Sequence, residues 1–171
     1  MRTNLSSQIS LNRVSTRYYK PENTIERSVL TRFEKIPTNI YETVDEGVSC
    51  IADEIIRKVQ ERQRDGKFCT IATGTGASLR PLFAELVRRH KEEGVSFRNV
   101  VVFNLYEYYP LTEPNNSSFN QLNELFLKQV DIDPQNVFTL NGTIPQEGVI
   151  DHCHLYEQRI KTYGGIDIAV M

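Results

Sequence analysis

Phe68-Cys-Thr-Ile-Ala-Thr-Gly-Thr-Gly-Ala-Ser-Leu-Arg-Pro81 is a β-rich run that breaks into glycines and then into a helix. Residues 68–73 mix β-branched and apolar side chains without a breaker, the pattern of a strand buried on both faces. Gly74 and Gly76 then allow positive φ and close backbone approach. From Ala77 onward Leu79, Leu82, Phe83, Leu86 and Val87 recur at helical spacing. A strand, a glycine turn and a helix start together build an anion site. The free N–H groups of the first turn, with the hydroxyls of Thr75 and Ser78, can hold a phosphate without a lysine. The loop ends in no Gly-Lys-Ser/Thr, and Leu79 stands where a dinucleotide fingerprint needs its third glycine. Neither nucleotide class is supported, and the bland alternative is a turn that binds nothing.

Working outward, strands alternate with helices. The helix that follows the glycine loop ends near Gly94, and residues 100–103 form a second run fit for a buried strand. Strand, helix and strand make a βαβ unit with parallel strands, so Thr73 and Asn104 end on one edge of the sheet. Ligands of open α/β sheets bind at that carboxyl edge. On the N-terminal side, Pro21 and Asn23 can start a short helix carrying Ile25, Val29, Leu30 and Phe33, which Pro37 ends. Thr38 or Asn39 then caps a long helix with Tyr41, Val44, Val48, Ile51, Ile55 and Val59 on one stripe, stopped by Asp65-Gly66. On the C-terminal side, Asn116 or Ser117 caps a helix with Leu122, Leu125, Phe126 and Val130. A short strand at 137–140, a turn at Asn141-Gly142, a helix over 146–163 and a buried strand from 166 to 171 complete the pattern. The expected fold is a Rossmann-like α/β open parallel sheet with helices on both faces. Residues 1–30 read as an N-terminal extension and 31–171 as the domain. A central-strand pattern that stops at Met171 reads as a domain incomplete at its C-terminus.

The 171 residues, 39% of them apolar, suffice for one domain core, and a net charge of −2 favours neither nucleic acid nor membrane as partner. No apolar run approaches a membrane span, and the polar first ten residues lack the core of a signal peptide, which makes the cytoplasm the default location. Cys50, Cys69 and Cys153 are odd in number and widely spaced, and the expectation is that all three are buried small hydrophobes. Asp151-His-Cys-His154 resembles a metal motif, but positions two apart on a helix diverge, so exposed helix residues are the expectation.

The second informative cluster, Phe103-Asn-Leu-Tyr-Glu-Tyr-Tyr-Pro110, follows the strand at Val100 directly. Residues past the carboxyl end of a parallel strand sit where substrates sit, which places Tyr106 and Glu107 for chemistry. The competing reading has the tyrosines packing a loop and Glu107 capping a helix or joining a salt bridge.

Thr75-Gly-Ala-Ser78, Val95-Ser-Phe97, Val101-Val-Phe-Asn104 with Glu107-Tyr108, Val130-Asp-Ile132, Leu140-Asn-Gly142, Tyr156-Glu and Tyr163-Gly occur in an order and spacing that resemble the glucosamine-6-phosphate deaminase/isomerase family. The resemblance covers residues 40–171. It implies a Rossmann-like fold that converts glucosamine 6-phosphate to fructose 6-phosphate and ammonia, with no metal or nucleotide cofactor. It also implies that Thr75, Gly76, Ala77 and Ser78 bind the sugar phosphate, and that Tyr106 and Glu107 face the sugar. The family pattern is Phe-Asn-x-Asp-Glu-Tyr, whose aspartate moves the proton between C1 and C2 of the open-chain sugar; here that position is Tyr106. A phenol with pKa near ~10 is a weaker candidate for such a base than a carboxylate near ~4. The family's later histidine motif, which opens the ring, is expected just beyond Met171. Two alternatives stand beside the deaminase: a non-catalytic sugar-phosphate sensor that kept the loop and lost the base, and a 6-phosphogluconolactonase-like hydrolase. Self-association of the full-length protein is compatible with either.

Overall fold

The computed structural model describes residues 21–33, 36 and 38–171. The expected arm at 1–20 lies outside them. The chain divides into two units, residues 1–47 and 48–171. In the first, α1 (Thr24–Thr31) is capped by Asn23, whose side chain accepts from the Glu26 N–H at 2.9 Å. That satisfies one of the donors a helix start leaves open.

The long helix α2 (Val44–Arg64) begins later than its expected caps: Thr43, not Thr38 or Asn39, accepts from the Glu46 N–H at 3.2 Å. Its buried stripe is also displaced. Ala52, Ile55, Ile56 and Val59 are buried while Val44 and Ile51 are exposed. Gly66, at φ 66°, turns the chain out of the helix as expected.

Strands β1 (Cys69–Thr73) and β2 (Val100–Asn104) are buried at every position and pair in parallel from Cys69↔Val100 to Thr73↔Asn104. Between them runs α3 (Arg80–Glu93), entered through a 3₁₀ turn at Ala77–Leu79 and closed by Gly94 at φ 72°. The shorter helix α4 (Ser118–Leu125) follows β2, then β3 (Val137–Phe138), α5 (Val149–Thr162) and β4 (Ile168–Val170). The sheet order is β3-β2-β1-β4, all parallel. This matches the first four strands of the doubly wound order, in which the chain reverses its direction across the sheet beside β1.

Side-chain alternation sorts the two layers. Cys69, Ile71, Val100 and Val102 pack with Ile55 and Val59 of α2, Leu82 and Phe83 of α3, and Leu122 of α4. Ala72, Val101 and Phe103 face the other way, against Phe138 and against Tyr156, Ile160 and Tyr163 at α5 and its end. Burying each Val of β2 contributes about 1.5–3 kcal/mol, which is why the apolar run Val100–Phe103 reads as a central strand. The expected strand within residues 166–171 is β4, which pairs with β1; among the described residues Ile168 and Val170 are half-buried and Ala169 is exposed. Asp167 anchors it, accepting from the Thr70 N–H at 3.0 Å and from Arg62 Nε at 3.0 Å. Among the described residues no helix is long and apolar enough to cross a membrane.

Candidate functional site

The carboxyl ends of β1 and β2 bring the two clusters together, so Thr75 and Tyr106, 31 positions apart, share a hydrogen bond. The Thr75 N–H donates to Tyr106 Oη at 3.1 Å, and Thr75 Oγ1 lies 2.9 Å from Ser118 Oγ at the start of α4. Thr75 and Ser118 are buried, while Gly76 is half-buried and Ala77 and Ser78 are exposed. The rear of the loop is thus packed, and its outer amides, at the opening of a 3₁₀ turn, face outward where no earlier helical carbonyl reaches them.

Neither loop glycine uses positive φ: Gly76 sits at φ −63°, and the positive-φ glycines are Gly66, Gly94, Gly164 and Gly165. The positive φ that these glycines permit is used at neither position. Gly74 is required for another reason. A Cβ there would stand 2.7 Å from Tyr106 Cε1, so the absent side chain makes room for the tyrosine ring. At Gly76 a Cβ would meet Ser78 Oγ at 3.6 Å, an ordinary contact, which leaves space above it.

Tyr106 lies across the loop and is 42% exposed. The Thr75 hydroxyl and amide, and more weakly the Ser118 hydroxyl, hold its phenol below the ordinary tyrosine value, against burial and the nearby Glu107 charge. Glu107 points instead to the N-terminus of α4. Its carboxylate accepts from Ser117 Oγ at 2.7 Å and from the N–H groups of Ser118 at 2.8 Å, Phe119 at 3.1 Å and Tyr108 at 3.0 Å. Burial alone would raise its pKa; the bonds from Ser117, Ser118, Phe119 and Tyr108 outweigh that and hold it below the usual carboxylate range. This is the helix-capping placement that a local reading of Glu107 offered as the competing one. With four donors on two oxygens, the carboxylate has little left to offer a substrate.

Three residues that the sequence marked, but not as site residues, organise this edge. Asn104 Nδ2 donates to the Tyr106 carbonyl at 3.0 Å, and Asn104 Oδ1 accepts from the Leu140 N–H at 3.3 Å. The Tyr156 hydroxyl donates to the Asn104 carbonyl at 2.8 Å; burial pushes that phenol well above its ordinary pKa, so it stays protonated. His152, in the histidine-rich segment, accepts from the Asn141 N–H at 3.0 Å, fastening α5 to the turn after β3. A signal for Asn104 existed in principle, since a polar residue ending a buried strand needs partners. Its partners, up to 52 positions away, have no local signature. A cavity of about 470 Å³ opens between Glu107, Leu111, Ser117 and Asn120 on one side and residues 139–143 on the other. Among the described residues no group of three or more His, Cys, Asp or Glu side chains is placed to hold a metal ion.

A doubly wound parallel sheet with a glycine loop at its switch point is the architecture whose ligands sit at this carboxyl edge, and the loop lacks both nucleotide patterns. The profile of one family, the glucosamine-6-phosphate isomerases/6-phosphogluconolactonase, matches residues 42–171, and the chain belongs to that family. A glucosamine-6-phosphate deaminase-like protein of Bacteroides thetaiotaomicron is 59% identical over 172 residues, which take in 100% of this chain and 26% of that protein. The glucosamine-6-phosphate deaminase of Dictyostelium discoideum is 33% identical over 131 residues, 70% of this chain and 48% of the relative. The chain therefore spans between a quarter and half of the length of these relatives. A monomeric glucosamine-6-phosphate deaminase of known structure superposes with a TM-score of 0.66 at 26% identity, over 75% of this chain and 52% of that one. The 6-phosphogluconolactonase of Thermotoga maritima, at 20% identity and a TM-score of 0.58 over 71% of this chain and 53% of that one, shares the fold.

Proposed function

We propose that this chain carries the sugar-phosphate-binding edge of a glucosamine-6-phosphate deaminase-like protein. The observation that carries the reading is the loop at 75–78, set at the carboxyl end of β1 with outward-facing amides and no lysine, in a member of this family. Thr75, Gly76, Ala77 and Ser78 would take the phosphate, and the cavity beside residues 139–143 would give the sugar room. The reaction would be aldose-ketose isomerisation with loss of the amine: a proton moves from C2 to C1 of the open-chain sugar, and water replaces ammonia at C2. Tyr106 occupies the place of the proton-transferring aspartate, with its phenol held on the acidic side of its normal value. Glu107 supports the site by fixing the start of α4.

One observation favours a second reading, a sensor that binds the sugar phosphate without transforming it. Of the two acid-base candidates at this edge, Tyr106 is a phenol bound to Thr75 and Glu107 is engaged in capping. Calorimetry and an ammonia assay separate the readings. Binding of glucosamine 6-phosphate, with no binding of glucosamine, is expected under both; ammonia release above background is expected under the deaminase alone. Equal affinity for the two sugars would refute the phosphate assignment. A Gly76→Val variant should bind the sugar phosphate more weakly, because its side chain fills the space above the loop.

A further inference from the structure

The hydrogen bond between the Thr75 amide and Tyr106 places a side-chain oxygen of the protein itself on the loop assigned above to phosphate. Resting on that assignment, we infer that Tyr106 is an internal occupant of the loop, which a phosphoryl oxygen must displace from the Thr75 amide.

Three independent features support displacement. First, the fit is shaped: Gly74 has no side chain where the tyrosine ring passes, and a Cβ there would come within 2.7 Å of Cε1 and 3.4 Å of the hydroxyl. A chain that left this edge open for a ligand alone would not need that gap. Second, the ring is 42% exposed, unlike the core aromatics Phe97 and Phe103 at 0% and 1%. Turning it out to solvent therefore uncovers less apolar surface than freeing a core aromatic would. Third, the backbone beneath it is held apart from the ring. The Tyr106 carbonyl is tied to Asn104 Nδ2, and Glu107 is tied to α4, so the side chain can turn while the loop stays fixed. An aspartate at this position is too short to span to Thr75 as the tyrosine does, so this occupancy is a property of the substitution.

The consequence is a binding threshold. A phosphate recovers the Thr75 amide only by breaking the Tyr106 bond, and the affinity falls by the fraction of molecules in which the ring has moved. Two variants remove the occupant by different routes. Tyr106→Phe keeps the ring and deletes the hydroxyl, and Gly74→Ala keeps the hydroxyl and crowds the ring away from the loop. Calorimetric titration of the full chain with glucosamine 6-phosphate should show both binding about 3- to 10-fold more tightly than wild type, the range that one net hydrogen bond supplies. Inorganic phosphate as probe should show the same ratio, since the competition is for the phosphoryl group. Equal affinities in all three proteins would overturn the inference and leave the phosphate assignment standing. Weaker binding by Tyr106→Phe would overturn it too, making the hydroxyl a ligand contact. No binding by any of the three would refute the phosphate assignment and the inference with it.

Discussion

Gly142 is the position at which one added carbon should do most harm for its size. A Cβ built there would lie 2.2 Å from the Tyr108 carbonyl oxygen, 2.8 Å from Leu111 Cβ and 3.3 Å from Glu107 Cγ. The nearest of these is backbone, which cannot swing aside as a flexible side chain can. Gly142→Ala must therefore push the loop at 107–111 off the turn after β3. That breaks the Leu111 N–H to Gly142 carbonyl bond, now 2.7 Å, and disturbs the Glu107 cap on α4. Forced overpacking costs about 1–3 kcal/mol and one lost hydrogen bond about 0.5–1.5 kcal/mol, so the variant should be destabilised by roughly 2–4 kcal/mol. For a domain of this size each kcal/mol lowers the melting temperature by about 3–5 °C, giving a fall of roughly 6–20 °C in a circular-dichroism melt. The matched control is Gly148→Ala, where φ is −91° and a Cβ meets nothing within 4 Å. It should melt at or slightly above the wild-type temperature, since alanine restricts the unfolded chain. If Gly142→Ala melts within a degree or two of Gly148→Ala, the close approach of the two loops is not a feature of the folded protein.

Glu107→Gln should lower stability by about 1–2 kcal/mol at neutral pH through loss of the charged cap. Because the folded-state pKa of Glu107 is depressed, its contribution is complete above the unfolded value near 4.5 and lost as pH falls through the lower folded value. The gap between wild type and Glu107→Gln in urea titrations should accordingly narrow as pH falls below 4.5, and a gap that stays constant from neutral pH through the acid range would exclude the charge as its source. Asp167→Asn should loosen β4, because it weakens the bonds from Arg62 and the Thr70 amide; faster amide hydrogen exchange at Ile168 and Ala169 with β2 unchanged is the expected pattern, and uniform exchange would refute it. Tyr106→Asp restores the carboxylate of the family pattern and should raise ammonia release from glucosamine 6-phosphate, general-base catalysis being worth about 10²–10⁴-fold. The assay is made on the protein that continues through the histidine motif expected beyond Met171; no release there from either wild type or Tyr106→Asp, with binding intact in both, would leave the sensor reading in possession.

The elements most legible in the sequence were those whose physics is local. Residues 69–73 and 100–104 form unbroken runs of β-branched and apolar side chains, with Thr70, Thr73 and Asn104 among them, because both of their faces are covered, and Gly66 and Gly94 end helices because each takes positive φ. The start of α2 was misjudged because Thr38, Asn39 and Thr43 are all capping residues, and only packing decides which one is used. Residues 166–171 carry the composition of a central strand, the place that the doubly wound order gives to its fourth strand. At the site, both clusters were legible from their position after strands. The partners were not: Glu107 caps a helix that starts 11 residues later, and Gly74 makes room for a ring 32 residues away. A glycine in a turn reads as conformational freedom, whereas here its value is vacancy.

Asn104 joins the root of the Tyr106 loop, the strand-end segment at Leu140 and the hydroxyl of Tyr156, all through main-chain atoms of those segments or its own. None of those bonds involves the side chain at 106. The backbone at 104–106 is thus held by bonds that do not depend on the side chain at 106, while Gly74 leaves the room that its ring takes. Exchange of a carboxylate for a phenol could then alter the chemistry of this edge in a single codon change, with no compensating adjustment in the sheet beneath. In this architecture the step between transforming a sugar phosphate and only holding it is short, and it can be taken in either direction.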